Sequence, residues 1–127
     1  MHNRFTTAFS TDLLMSPADM TRSGTTNSPV LEIVSFRLKP GLSDQDFLAL
    51  ARATEAVVAA QAGFTGRHLM RNEDGLWTDM VNWQSLDLAT KAATAVMANP
   101  AFSPFGGAID EASITMQHLP VLWSMGN

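Results

Sequence analysis

The run Trp77-Thr78-Asp79-Met80-Val81-Asn82-Trp83 constrains this chain more than any other stretch. Its alternation has the period of a β-strand and stacks two tryptophans, a valine and one carboxylate on a single face. That face is too apolar to stay wet. An ionised carboxylate among such rings needs a charge partner, hydrogen bonds or water, so the run predicts the wall of a partly enclosed pocket.

The neighbouring stretches read as regular elements. Val30-Leu31-Glu32-Ile33-Val34-Ser35-Phe36-Arg37-Leu38 is β-branched and mostly apolar on both faces until Lys39-Pro40-Gly41 breaks it, which predicts a central strand. Ser43-Asp44-Gln45-Asp46 is a helix start, because the hydroxyl can accept from a free backbone N–H while the acids favour the positive end of the helix. Phe47, Leu50, Ala51, Thr54, Val57 and Val58 then recur at helical spacing, and Gly63 is a natural stop. Residues 64–71 and 76–83 form a hairpin around Asn72-Glu73-Asp74-Gly75. Ser85 and Asp87 open a second helix striped with small residues, which Asn99-Pro100 ends. A short turn carries Ala101, Phe102 and Phe105 into Gly106-Gly107, and a last strand spans 113–119.

The order strand, helix, strand, strand, helix, strand predicts an α+β ferredoxin-like βαββαβ fold: one four-stranded antiparallel sheet with both helices on one face. The other face is left bare. Because the first and third strands are apolar on both sides, two sheets packed face to face would cover it, so a homodimer enclosing a cavity is expected.

Residues 1–29 read as an arm or disordered tail, rich in Thr, Ser and Asn, and 30–127 as a single domain. A formal charge of −4 with only eight Lys and Arg argues against nucleic acid, and no apolar run approaches the roughly 20 residues that span a bilayer. The absence of cysteine excludes disulfides and thiolate chemistry and fits a reducing cytoplasm. Three scattered histidines, with no pair at ligand spacing, predict no metal site.

Three local patterns carry a family resemblance: Phe36-Arg37-Leu38-Lys39-Pro40-Gly41 running into a capped helix, Gly63-Phe64 opening the second strand, and Trp83-Gln84-Ser85-Leu86 leading into an alanine-rich helix and Asn99-Pro100-Ala101-Phe102. With the element order, they resemble the dimeric α+β barrel superfamily, particularly its antibiotic-biosynthesis-monooxygenase-like branch, over roughly residues 30–121. The resemblance implies a small-molecule-binding homodimer, and possible cofactor-independent oxygenase or isomerase chemistry on a small aromatic or apolar substrate, with no cofactor. The alternative is a non-catalytic dimeric ligand-binding or scaffold module. The haem-degrading branch is disfavoured, since its asparagine and histidine positions fall near Val34 and Gly106 and only Trp83 matches its tryptophan.

The candidate catalytic residues are Asp79, His68 and Glu32, and the candidate lining is Val34, Phe36, Arg67, Trp77, Val81, Trp83, Met116 and His118. If the face of Asp79 lines the lumen between subunits, Glu32, Val34 and Phe36 join it while Leu31, Ile33 and Ser35 meet the helices. The hairpin leaves two registers open. A two- or four-residue loop places His68 beside Asp79, where the acid could orient a base; a three-residue loop with a glycine bulge brings Arg67 and Leu69 there, where the acid is neutralised. The apolar quality of Phe64, Gly66 and Met70 points their face toward the helices. Trp123, beyond the last strand, is a candidate dimer anchor.

Overall fold

The computed structural model describes residues 28–126, so the expected arm, apart from Ser28 and Pro29, lies outside the described residues. Four strands, β1 (Val30–Phe36), β2 (Phe64–Arg71), β3 (Trp77–Trp83) and β4 (Thr115–Pro120), make one sheet in the order β2-β3-β1-β4 with every pair antiparallel. The helices are α1 (Asp44–Arg52), α2 (Glu55–Ala59), α3 (Leu86–Met97) and α4 (Ser103–Gly107). This is the βαββαβ architecture expected from the pattern.

Local chemistry sets the boundaries. Ser43 and Asp46 form a reciprocal cap at α1, the Ser43 hydroxyl accepting from Asp46 N at 3.0 Å and the Asp46 carboxylate from Ser43 N at 3.4 Å. Ser85 caps α3 by accepting from Leu88 N at 3.2 Å. Gly63, at φ +90°, ends the first helical segment, and a Cβ there would stand 2.7 Å from Leu88 Cδ1. No larger residue fits between these two elements without moving α3.

The single helix expected over the Phe47–Val58 stripe is two helices. The break falls at Ala53 and Thr54, where the Thr54 hydroxyl donates to Ala51 O at 2.7 Å. A threonine that bonds back to the preceding turn competes with the helix's own ladder and bends it.

The larger correction concerns the faces of the sheet. Val30, Glu32, Val34 and Phe36 of β1 and Trp77, Asp79, Val81 and Trp83 of β3 are all buried, and they meet the helices of their own chain. Phe47 of α1 packs on Trp77 at 4.9 Å and stacks on Phe105 of α4 at 4.9 Å, while Phe36 meets both phenylalanines edge-on. Ala89 and Ala92 bring α3 against Val30, Val81 and Trp83. Each fully buried ring or branched chain here contributes about 1.5–3 kcal/mol. Leu31, Ile33 and Ser35, expected to meet the helices, instead lie on the open face with Thr78, Met80 and Asn82. The even strand positions of β1 are the ones the aromatic cluster selects.

The open face is half-buried at Leu31, Ile33, Met80 and Asn82 and exposed at Met70 and Leu119. Ser35 and Thr78 join their hydroxyls across it at 3.2 Å. Trp123 is 76% exposed in this chain.

Candidate active site

The register of the hairpin decides which cation meets Asp79. Asn72 Oδ1 accepts from Asp74 N at 3.1 Å and Leu76 N at 2.9 Å, Asn72 N donates to Leu76 O at 2.9 Å and Gly75 takes φ +92°, so Glu73, Asp74 and Gly75 turn the chain and the last of the three needs glycine. Leu69 then stands opposite Asp79, Arg67 opposite Val81 and His68 opposite Met80. His68 is therefore on the open face, away from Asp79, and cannot be oriented by it. A bulge between Phe64 and Gly66 shifts the parity of the strand once. It lets Phe64 pack on Trp83, at 5.9 Å, while Gly66 and Met70 stay on the open face with His68. The apolar character of Phe64 is real, but it does not carry the rest of the even face with it.

On the helix side the pairing aligns the side chains in rows. One row runs Arg67, Val81, Glu32 and His118; the next runs Leu69, Asp79, Val34 and Met116. Between the sheet and α3–α4 these rows border a cavity of about 60 Å³. Its lining includes Glu32, Val34, Phe36, Arg67, Asp79, Val81 and Trp83 from the sheet and Val96, Met97, Phe102 and Phe105 from the helical side. Glu32, Arg67 and Asp79 are the charged residues of that lining. The pocket thus lies within the chain, under its helices, and not on the open face where a lumen between two sheets would be. Large rings from α1 and α4 are what the Trp77 face was apolar for.

Of the residues expected to line it, Trp77, Met116, His118 and His68 do not. Trp77 is taken up by the packing on Phe47, and Met116 packs against the same core. His118 sits behind Glu32 at the edge strand.

Two polar clusters hold the charged groups. In the first, Arg67 grips Asp79 with both arms of its fork, Nε to Oδ1 at 3.0 Å and Nη2 to Oδ2 at 2.8 Å, and donates from Nη1 to the Thr54 hydroxyl at 2.8 Å. Its guanidinium carbon lies 5.4 Å from the Phe105 ring centre. Side-chain exposures of 15% and 10% make this a mostly desolvated, bidentate pair. Both Asp79 oxygens accept from Arg67, so the guanidinium neutralises this acid and the acid fixes the guanidinium. Of the five guanidinium N–H groups, these three bonds leave two without a protein acceptor among the described residues.

The second cluster is looser. Glu32 Oε1 accepts from Trp83 Nε1 at 2.9 Å, and His118 Nε2 stands 3.7 Å from the same oxygen, too far for a hydrogen bond. Glu32 Oε2 takes no hydrogen bond from the described residues. Glu32 thus lines an apolar space with one oxygen held and one available.

Arg67 and Val58 also border a wider groove of about 390 Å³ on the α1–α2 side, lined further by Leu48, Ala51, Arg52, Glu55 and Leu69. They are the shared wall between groove and cavity.

Thr54, Val58, Phe102 and Phe105 complete the site without having been singled out as site residues. The available signal was Thr54, a hydroxyl inside an otherwise apolar helical stripe, which in a buried setting demands a polar partner.

No protein-family model and no curated protein matches the chain. Solved structures do. SnoaB from Streptomyces nogalater, a cofactor-independent oxygenase, is 24% identical and aligns over 78% of this chain and 96% of its own at a TM-score of 0.54. A candidate antibiotic biosynthesis monooxygenase from Bordetella bronchiseptica is 20% identical, over 76% and 99%, at 0.60. A Nitrosomonas europaea protein of unknown function aligns over 80% and 97% at 0.62 with 10% identity. The chain shares the ferredoxin-like α+β fold of these structures. Among the described residues no helix is long and apolar enough to cross a membrane.

Proposed function

We propose that this chain is a homodimeric protein that binds a small aromatic or otherwise apolar molecule bearing one acidic O–H or C–H, and that it acts as a cofactor-independent oxygenase. The observation that carries this reading is the row Arg67, Val81, Glu32 across the floor of one apolar cavity. Two strand spacings of about 4.8 Å put the α carbons of Arg67 and Glu32 roughly 10 Å apart, with a flat valine between them. A ring lying on Val81 would have a carboxylate at one edge and a fixed guanidinium at the other.

In this mechanism Glu32 removes the substrate proton through its available oxygen. The two uncommitted N–H groups of Arg67 receive the negative charge that develops on the substrate oxygen, and Asp79 and Thr54 hold the guanidinium so that it need not reorganise. Molecular oxygen then adds to the carbanion. For a methylene between aromatic rings, one oxygen atom becomes the new carbonyl and the other leaves as water, so the substrate supplies all four electrons. SnoaB, of the same fold, is a cofactor-independent oxygenase. The homodimer reading is supported by the apolar open face, where Leu31, Ile33 and Met80 lie beside a buried Asn82 Oδ1 that has no hydrogen-bond partner among the described residues.

A screen of quinols, phenolic acids and compounds with a methylene between aromatic rings, read by tryptophan quenching and oxygen uptake, tests the proposal. Wild-type protein should show quenching from Trp83 and turnover, and Glu32→Gln should lose turnover by about 100-fold or more with its fold intact. Turnover of Glu32→Gln at the wild-type rate would overturn it.

A second reading, a non-catalytic dimeric binding or scaffold module, has one observation in its favour. A cavity of about 60 Å³ is well short of the roughly 150 Å³ that holds a benzene-sized guest. An aromatic substrate must displace Met97 or Phe102, or enter from the groove past Val58. Tight binding of a ring compound without oxygen uptake selects this second reading.

A further inference from the structure

Glu32 and His118 are direct cross-strand partners on β1 and β4, with side-chain exposures of 11% and 10%. The His118 Nε2 atom is buried and has no hydrogen-bond partner among the described residues, yet it stands 3.7 Å from Glu32 Oε1. A buried imidazole nitrogen left bare costs about 1–3 kcal/mol, so this one calls for a partner. The nearest group that could satisfy it is the carboxylate. Closing the gap by about 1 Å would make a charge-assisted hydrogen bond. β4 is an edge strand of the sheet, so the histidine lies on the side of Glu32 away from the centre of the cavity.

From these positions we propose that Glu32 and His118 form a carboxylate–imidazole dyad that moves a proton out of the cavity, with the Trp83 indole holding the carboxylate in register. The inference rests on the reading of Glu32 as the base. Glu32 takes the substrate proton on its free oxygen and becomes a neutral acid; a half turn of the carboxyl group exchanges its two oxygens, setting the protonated one beside His118, and the O–H bond then breaks as the lone pair of His118 Nε2 forms an N–H bond. The products are the carboxylate, ready for the next substrate, and an imidazolium beside it. The imidazolium passes its proton to water at the sheet edge. His118 touches no substrate in this scheme and is a positioning and relay residue. Among the described residues no other charge competes for the transfer at this spot: Arg67 lies two strands from Glu32 in the same row and is bound to Asp79, and Asp87 and Lys91 of α3 are exposed.

The test joins a spectroscopic arm to a kinetic one. In nitrogen-15 spectra of the full chain, Glu32→Gln should move the His118 Nε2 signal and His118→Gln should move the Trp83 indole N–H, with the Trp77 indole unmoved. In turnover, His118→Gln should lower kcat at least tenfold with KM within about twofold, and imidazole added to His118→Gly should restore a large part of that loss. Rescue of this kind is not expected of a residue that only packs. If the two signals ignore each other's variants, the dyad is wrong even where Glu32→Gln abolishes turnover, and the base assignment survives alone. If the signals are coupled but His118→Gln turns over like the wild type, the relay is wrong. A wild-type chain inactive on every C–H and O–H acid screened removes the base assignment and the relay with it.

Discussion

The two polar clusters on the cavity floor are built from similar parts and finished differently. Around Arg67, three donors meet three acceptors at 2.8 to 3.0 Å, and a ring covers the guanidinium. Around Glu32, one indole N–H is bonded and the histidine stops short of contact. A cluster held by a bidentate pair in a low-dielectric site is rigid and its acid is neutralised, although two Arg67 N–H groups stay uncommitted. A partly satisfied one retains capacity for a ligand or a proton. Within a few residues of the same strands, both Asp79 oxygens meet Arg67 while Glu32 keeps one oxygen without a hydrogen bond from the described residues.

The contrast is broken most sharply at Asp79. Replacing it with alanine strands Arg67 as a buried charge and should destabilise the fold by about 3–5 kcal/mol in urea titrations. The double replacement Arg67→Met with Asp79→Ala should cost less than Asp79→Ala alone, because no unpaired charge remains. A smaller effect, roughly 1–3 kcal/mol by the same measurement, is expected for Thr54→Val, which keeps the shape but takes away the acceptor for Nη1 and the bond to Ala51 O. The smallest is Glu32→Gln, within about 1 kcal/mol, since the amide oxygen can still accept the Trp83 N–H. Destabilisation by Glu32→Gln as large as that by Asp79→Ala would erase the distinction between the clusters.

Much of the fold was readable from short-range signals. The Ser43 cap, the Asn72 turn with Gly75 and the Ser85 cap each specify geometry within four residues, so they survive any tertiary context. The element order followed from them. The site was half readable. Glu32, Val34, Phe36, Val81 and Trp83 were placed together correctly because they share a strand parity, but their location was assigned to the wrong side of the sheet. Leu31 and Ile33 are as apolar as Val30 and Val34, so alternation on β1 marks two faces without ranking them. Met80 opposite Val81 does the same on β3.

The register of β2 was open for a different reason. Both a glycine-bulged and an even-numbered loop are compatible with Asn72-Glu73-Asp74-Gly75; the even residues do lie opposite the Asp79 face, but on the open side of the sheet, and Phe64 alone reaches the helices because of a bulge that was not visible. Bulges arise where partner strands must realign, which depends on the neighbour as much as on the residues themselves.

From its residues alone this chain was bound to make a four-stranded antiparallel sheet with capped helices and to bury one acid-bearing tryptophan face, because periodicity, caps and turn glycines act over a few bonds. Which side the helices cover, which cation reaches Asp79 and which carboxylate keeps a free oxygen were settled in three dimensions. Those outcomes turn on where the rings of Phe47 and Phe105 find room and on how β2 slides along β3, and both are contacts between segments far apart in the chain.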